Sequence, residues 1–282
     1  MTTIAIDIYH LRNNVKVISA QQAPSNAIDA CLNEMAQRDL FMARRRGEDV
    51  SSDTWVVLIG DDVAGLGWAR PRTIGTDIDV RVLPRFRKQG VGSALFDAVT
   101  DNLSRPWFAS CDAGQTSAIE FLDGRGFKLD GAVYAQRWDG CLDDVPPAFM
   151  SATIEKSQDL PLVNDILSAA YGTHWLQPNL SIATDPNETL SLRIARRDGQ
   201  AVGALVTMAG EETIVVAGLG TVPHARQKGV GRALLCDLMK EAAHGDLGVA
   251  ARIPAEDEHT AQWTRGLGFW TYRTWVYFSC DG

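Results

Sequence analysis

A twelve-residue string occurs twice in this chain, and a string repeated at domain distance points to a fold unit repeated with it. Residues 84–95 read PRFRKQGVGSAL and residues 223–234 read PHARQKGVGRAL. Seven of the twelve positions are identical: Pro84/Pro223, Arg87/Arg226, Gly90/Gly229, Val91/Val230, Gly92/Gly231, Ala94/Ala233 and Leu95/Leu234, all at an offset of 139. A chain of 282 residues is long enough for two domains of roughly 150 residues each. With 45% hydrophobic and 22% charged residues, each half can bury a core of its own.

The flanking patterns repeat as well. In the first half, Val15–Ser19 reads as a strand and Asn26–Arg45 as one or two helices. Trp55–Ile59 and Val63–Trp68 are apolar runs around Gly60-Asp61-Asp62, a hairpin signal. Ile78–Leu83 alternates as a strand, Gly92–Asn102 has helical spacing, Trp107–Cys111 is a short strand, and the helix Ser117–Asp123 closes at Gly126-Phe127. The second half repeats the order. Thr153–Glu155 reads as a strand, Leu160–Tyr171 as a helix, and Leu190–Arg196 with Ala201–Met208 as a hairpin at Asp198-Gly199. Ile214–Thr221 is the strand before the string and Gly231–Ala243 the helix after it; strand Leu247–Ala251, helix His259–Arg265, Gly268-Phe269 and strand Tyr272–Phe278 follow. These patterns predict an N-terminal domain over 1–140, a linker at 141–150 with acidic and Pro-Pro character, and a C-terminal domain over 151–282. The first dozen residues have no counterpart in the second half.

The net charge of −8 argues against nucleic acid or an anionic membrane as the partner and suits a cationic small molecule. Five cysteines, widely spaced and without Cys-x-x-Cys, argue against structural disulfides and a structural zinc. No apolar run approaches the ~18 residues that span a bilayer, and the N-terminus lacks signal-peptide character. The expectation is a cytoplasmic protein, monomeric or homodimeric.

The repeated string carries the chemistry. A strand, then Arg-x-x-Gly-x-Gly, then a helix aims several backbone N–H groups at one point, and the helix N-terminus adds partial positive charge. Phosphate fits that point. Arg87 or Lys88, and Arg226 or Lys228, can add formal charge. A helix start with incidental glycines is the plain alternative for one copy, and the second copy makes it a poor one. The triphosphate loop is excluded because Gly-Lys-Ser/Thr is absent, and the dinucleotide fingerprint because its third glycine is missing.

Val82-x-Pro84-x-x-Arg87-x-x-Gly90-x-Gly92 and Thr221-x-Pro223-x-x-Arg226-x-x-Gly229-x-Gly231 resemble the acyl-CoA signature of the GNAT superfamily of N-acetyltransferases. The helices ending in Gly-Phe, at 118–127 and 261–269, are similar to that family's later motif. The resemblance covers both halves. It implies an α/β (α+β) chain of two tandem GNAT-like domains, each a mixed, mostly antiparallel sheet flanked by helices. It implies acetyl-CoA as donor, no metal, and direct attack of an amine on the thioester. The backbone of Arg87, Lys88, Gln89, Gly90, Val91, Gly92 and Ser93, and of Arg226, Gln227, Lys228, Gly229, Val230, Gly231 and Arg232, would hold the CoA pyrophosphate. Val80, Arg81 and Val82, or Leu219, Gly220 and Thr221, would pair with the pantetheine arm.

Many family members place a tyrosine four residues before the Gly of Gly-Phe to protonate the leaving thiolate. Those positions are Leu122 and Thr264 here, and neither can serve. Asp77 and Asp79 lie on the strand before the first string, with Asp79 the candidate base; a solvated strand face is the plain reading of both. Ile214–Leu219 in the second half carries no ionisable group, and Glu211 and Glu212 sit at its start. An α-amine needs little help, since its pKa of about 7.7–8.0 leaves part of it neutral.

Tyr171, His174 and Trp175 follow the first helix of the second half, where family members contact the acceptor. Trp263, Trp270, Tyr272 and Trp275 cluster near its end, and core packing is their plain reading. His174 and Tyr272 join Asp79 as catalytic candidates. The aromatic loop favours the C-terminal half as the catalytic one. Arg44-Arg45-Arg46 reads as a solvated helix end or a CoA phosphate contact. The acceptor expected is an amine of a small cationic molecule, such as an aminoglycoside-like antibiotic, a polyamine or an amino-acid derivative. The rival readings are a non-catalytic acyl-CoA sensor and a protein Nα- or lysine acetyltransferase.

Overall fold

Short apolar runs punctuated by glycine and aspartate fold as antiparallel hairpins in both halves of the chain. A computed structural model describes residues 15–36, 54–147, 152–172, 190–210 and 212–281. In the second half the turn residues Asp198 and Gly199 have φ of 50° and 79°, the doubly left-handed turn whose twist matches that of paired strands. Two compact units result. Unit 1 takes residues 1–111, 115–130 and 276–282, and unit 2 takes 112–114 and 131–275.

In unit 1, β1 (Val15–Ser19), β2 (Thr54–Ile59), β3 (Asp62–Pro71) and β4 (Thr76–Val82) pair antiparallel in chain order. β5 (Trp107–Asp112) runs parallel to β4 but pairs only at Thr76↔Trp107 and Asp77↔Phe108. Helix α1 (Ser25–Ala36) covers one face through Ile28 and Cys31, which pack on Ile18, Val56, Leu66 and Trp68. Helices α2 (Val91–Thr100) and α3 (Thr116–Asp123) bury their apolar stripes elsewhere: Leu95 packs with Val57 and Val80, and Phe96 packs with Leu122 and Phe127. The Phe96 ring meets the edges of Phe121 and Phe127 at 5.9 Å.

Unit 2 has the same plan. After β6 (Lys128–Trp138) come β7 (Thr153–Ser157), β8 (Leu190–Arg197), β9 (Gln200–Ala209) and β10 (Thr213–Thr221). β7 to β10 pair antiparallel in chain order, and β11 (Gly248–Pro254) runs parallel to β10. Helix α4 (Leu160–Tyr171) starts at Asp159, whose carboxylate accepts the Leu162 N–H, and ends at left-handed Gly172. Helix α5 (Val230–His244) buries Val230, Leu234 and Leu238 at four-residue spacing, together with Met239 and Ala242. Each fully buried leucine contributes about 1.5–3 kcal/mol. Helix α6 (Glu258–Arg265) is capped by Asp257, and β12 (Trp270–Cys280) ends the described chain.

Sequence halves and compact units do not hold the same residues. β6 follows the first Gly-Phe in sequence, yet it pairs antiparallel with β11, from Val133↔Pro254 to Val249↔Trp138. The last residues of β12 belong to unit 1, where Phe278 and Cys280 pack on Phe96 and Phe127. The sequence patterns do not predict β6, because its run KLDGAVYAQRW breaks apolar alternation with a lysine, an aspartate, a glycine and a buried glutamine. Among the described residues, no helix is long and apolar enough to cross a membrane.

Candidate functional site

Both copies of the string build the same backbone feature. Pro84–Phe86 and Pro223–Ala225 each form one turn of 3-10 helix. Lys88 and Gln227 then take φ of 58°, a left-handed conformation costly for a residue with a side chain. Gly90 and Gly229 follow with φ of 81° and 79°, as the N-caps of α2 and α5. The first intrahelical bonds run from Ala94 N–H to Gly90 O and from Ala233 N–H to Gly229 O. The N–H groups ahead of Ala94 and Ala233 in each first turn therefore precede the ladder and point at one spot, as an anion requires.

Arg87 and Arg226 depart from the expected role. Their N–H groups bond to Pro84 O and Pro223 O, both at 3.3 Å, so they close the 3-10 turn. Their guanidinium Nε atoms reach back to Val82 O and Thr221 O, again at 3.3 Å. The two arginines brace the end of the preceding strand against the cradle. Gln89 and Lys228, different in type, do one job: each donates to the carbonyl four residues before it, Arg85 O and His224 O.

The strand before each cradle parts from its parallel neighbour. β10 pairs with β11 from Thr213↔Gly248 to Val216↔Ala251 and no further. At that point β10 bulges: Val216 pairs with Thr207 and Gly218 with Val206, which leaves Ala217 as the extra residue. A bulge re-aims the backbone next to it. The register of β4 on β3 is unbroken from Val82↔Gly65 to Thr76↔Pro71.

Strand parity says which backbone groups line the gap. Val222 N–H bonds to Val202 O, and Leu83 N–H bonds to Ala64 O. In an antiparallel pair, alternate residues point both groups at the partner strand. Leu219 and Thr221 in unit 2, and Val80 and Val82 in unit 1, thus turn theirs to the open side. The side-chain donors agree, since Leu219 O accepts the Tyr171 hydroxyl at 2.9 Å and Thr221 O accepts Arg226.

Side chains distinguish the two gaps. In unit 1, Arg81 binds Asp79 through Nε at 2.6 Å and Nη2 at 3.2 Å, using both carboxylate oxygens. The same string offset puts Gly218 and Gly220 at these positions in unit 2. A Cβ on Gly220 would lie 2.7 Å from Ala170 Cβ and 2.8 Å from Leu167 Cδ2, so glycine is what lets α4 lie against β10. The end of α4 is then fastened twice: Ala170 O accepts Arg226, and Tyr171 donates to Leu219. Burial of the hydroxyl end pushes the Tyr171 pKa up, and the nearby Asp257 charge adds to this. Tyr171 keeps its proton at neutral pH.

Of the predicted catalytic residues, Asp79 belongs to unit 1 and Tyr272 to unit 2. Asp79 is held by Arg81. Tyr272 is exposed and packs edge-on against Trp270 at 5.9 Å, with β6 between its strand and β11. His174, Trp175, Glu211 and Arg44-Arg45-Arg46 lie outside the described residues. Leu122 is core. Thr264 is sealed, with its hydroxyl on the Gln136 side chain and Thr260 O 2.9 Å away. Trp263 lies beside cradle Gly231, at 3.8 Å from a Cβ there, as Phe121 lies beside Gly92. The contact between Tyr171 and Leu219 is a feature of this site that sequence reasoning missed. Its signal was Gly220, which is Arg81 in the other copy.

A helix-start cradle of backbone N–H groups, set beside a parallel strand pair that parts, suits a donor with a pyrophosphate and an amide-bearing arm, such as the acyl-CoA of an acyltransferase. The chain belongs to the GNAT acetyltransferase family, whose model matches residues 21–127 and again 160–269. That family uses acetyl-CoA as donor. Among solved structures, a GCN5-related N-acetyltransferase from Sphaerobacter thermophilus is similar at 19% identity and TM-score 0.72, over 96% of this chain and 97% of that one. A tandem GNAT protein from the clavulanic acid biosynthesis pathway is similar at 15% identity and TM-score 0.68, over 95% and 98%. A GCN5-related N-acetyltransferase from Kribbella flavida is similar at 16% identity and TM-score 0.57, over 78% and 87%. At these identities the likeness is one of fold. No curated protein matches the chain.

Proposed function

We propose that unit 2 carries the reaction, transferring an acetyl group from acetyl-CoA to an amine of a small cationic molecule. The observation that supports this most is the bulge at Ala217, which falls where β10 leaves β11 and has no counterpart in β4. Gly218 and Gly220 keep the adjoining surface free of the side chains that Asp79 and Arg81 place in unit 1. When bound, the donor supplies an activated acyl group as a thioester.

The chain's own residues hold, orient and polarise. The first-turn N–H groups of α5 hold phosphate. Leu219 and Thr221 offer strand edges to an amide-bearing arm. Backbone N–H groups re-aimed by the bulge stabilise charge developing on an acyl oxygen. β10 carries no ionisable side chain from Thr213 to Thr221, so an amine has to arrive neutral or pass its proton to water. The negative net charge and Asp257 beside Tyr171 favour a cationic acceptor.

The same arrangement serves a sensor, and the buried Leu122 and Thr264 favour that second reading. Thiol release from acetyl-CoA across a panel of polyamines, aminoglycosides and amino-acid amides separates the two. Turnover with at least one small amine is expected, with rate rising with pH as that amine loses its proton. Calorimetric CoA binding without turnover on any amine would leave the sensor reading standing.

A further inference from the structure

We infer that Tyr171 is a gate on the donor-arm slot of unit 2, its hydroxyl holding the strand carbonyl that an arriving pantetheine amide must take. This rests on the reading that unit 2 binds the donor.

Three observations carry it. The Tyr171 hydroxyl lies 2.9 Å from Leu219 O. Strand parity turns that carbonyl away from β9 and into the gap left where β10 parts from β11. The contact is also built rather than incidental: Gly220 admits α4 to the strand, and Arg226 ties Ala170 O beside it to the cradle. A peptide-like arm that adds as a strand donates its amide N–H to Leu219 O, in the direction a neighbouring strand would use. The hydroxyl and the amide thus compete for one acceptor. Tyr171 is 52% exposed, so its side chain can swing away without opening the core. Displacement costs the hydroxyl its bond to the carbonyl, which water then replaces, and donor binding pays the difference. A carbonyl has two lone pairs, so sharing is the physical alternative to exchange.

The test is calorimetry on Tyr171→Phe with two probes, CoA and 3′-phospho-ADP; the second carries the pyrophosphate but no arm. A net hydrogen bond of ordinary strength sets the scale. The expected result is CoA binding tighter by about 3- to 10-fold, with 3′-phospho-ADP unchanged and the melting temperature within a few degrees of the parent. Unchanged CoA affinity means sharing and overturns the gate. Weaker CoA affinity means the hydroxyl is a partner of the donor and overturns it as well. An equal shift for both probes means that the tyrosine acts through the fold, and again the gate fails. The same titration on Gly229→Glu checks the reading underneath. If CoA binding in full stoichiometry survives that change, unit 2 is not the donor site and the proposal falls with that reading, whatever Tyr171→Phe does.

Discussion

The side chains of Gln136 and Thr264 hydrogen-bond to each other inside unit 2, although one comes from each half of the sequence. Gln136 is fully buried, and its amide also donates to Ala261 O at 3.2 Å. Thr264 stands where many family members place the acid tyrosine, and here it is a structural fastener between β6 and α6. A buried amide is costly when left half-satisfied.

Thr264→Val keeps the shape and strands the Gln136 oxygen. Urea denaturation should show a loss of about 1–3 kcal/mol, with turnover at saturating substrates within a few-fold of the parent. A stability loss with Gln136→Leu and no further loss in the double variant would confirm a shared bond. A drop in kcat of a hundredfold without loss of stability would instead make Thr264 part of the chemistry.

Arg193 on β8 is fully buried, and it faces Asp237 at 3.1 Å and Glu241 at 2.7 Å on α5, both part-exposed. The two sides are unequal, because only the guanidinium is cut off from water. Glu241→Gln therefore leaves a buried cation short of a partner and should cost ~1–3 kcal/mol. Arg193→Met leaves two carboxylates that water can reach and should cost less, within ~1 kcal/mol. Burial works to raise the Glu241 pKa, but Lys156 and Arg193 together outweigh it and lower it. Its contribution is present above the ordinary carboxylate value and is lost as pH falls through the lowered one. Denaturation midpoints for the three proteins, taken at neutral and acid pH, check both the order and the sign.

Local chemistry was legible wherever it decides structure by itself. Alternation at Ile78, Val80 and Val82 marks β4, the Asp198-Gly199 pair marks the turn between β8 and β9, and α4 has the bounds that its spacing predicts. The cradle too was readable, because glycine is needed where φ is 81° and 79°. What failed is non-local. β6 finds its partner β11 more than a hundred residues away, and its buried Gln136 is satisfied only there. Tyr171 meets Leu219 across 48 positions, and the meeting depends on a glycine whose purpose shows only when α4 is in place. The left-handed Lys88 and Gln227 carry no glycine signal at all.

Cysteine reactivity should divide one against four. Cys31, Cys111, Cys236 and Cys280 are buried, whereas Cys141 is exposed. Burial, with help from Glu34 and against Arg85, pushes the Cys31 thiol up to about 12 from an ordinary 9.0. The thiolate is the reactive species, so Cys31 has on the order of a thousandfold less of it at a given pH. A disulfide reagent at neutral pH should titrate one thiol quickly in the native protein and all five in urea. Two or more fast thiols in the native state would contradict this packing. Holding Cys31 neutral also stabilises the fold below pH 9, and that contribution declines as the unfolded thiol ionises above it.

The cradles can be silenced one at a time. Gly90 and Gly229 sit at helix N-caps with left-handed φ, at the spot where phosphate is expected. A glutamate at either position puts a carboxylate among N–H groups that would otherwise receive the anion, and adds the strain of a side chain at positive φ. If unit 2 is catalytic, Gly229→Glu should cut turnover by at least a hundredfold, and Gly90→Glu should leave it within about threefold. CoA stoichiometry read alongside turnover shows whether unit 1 also binds: one site lost with Gly90→Glu at unchanged rate means a second, non-catalytic donor site. The reverse pattern, with turnover lost through Gly90→Glu and kept through Gly229→Glu, would move the reaction to unit 1. It would then have to proceed beside the Asp79–Arg81 ion pair and without a bulge in β4.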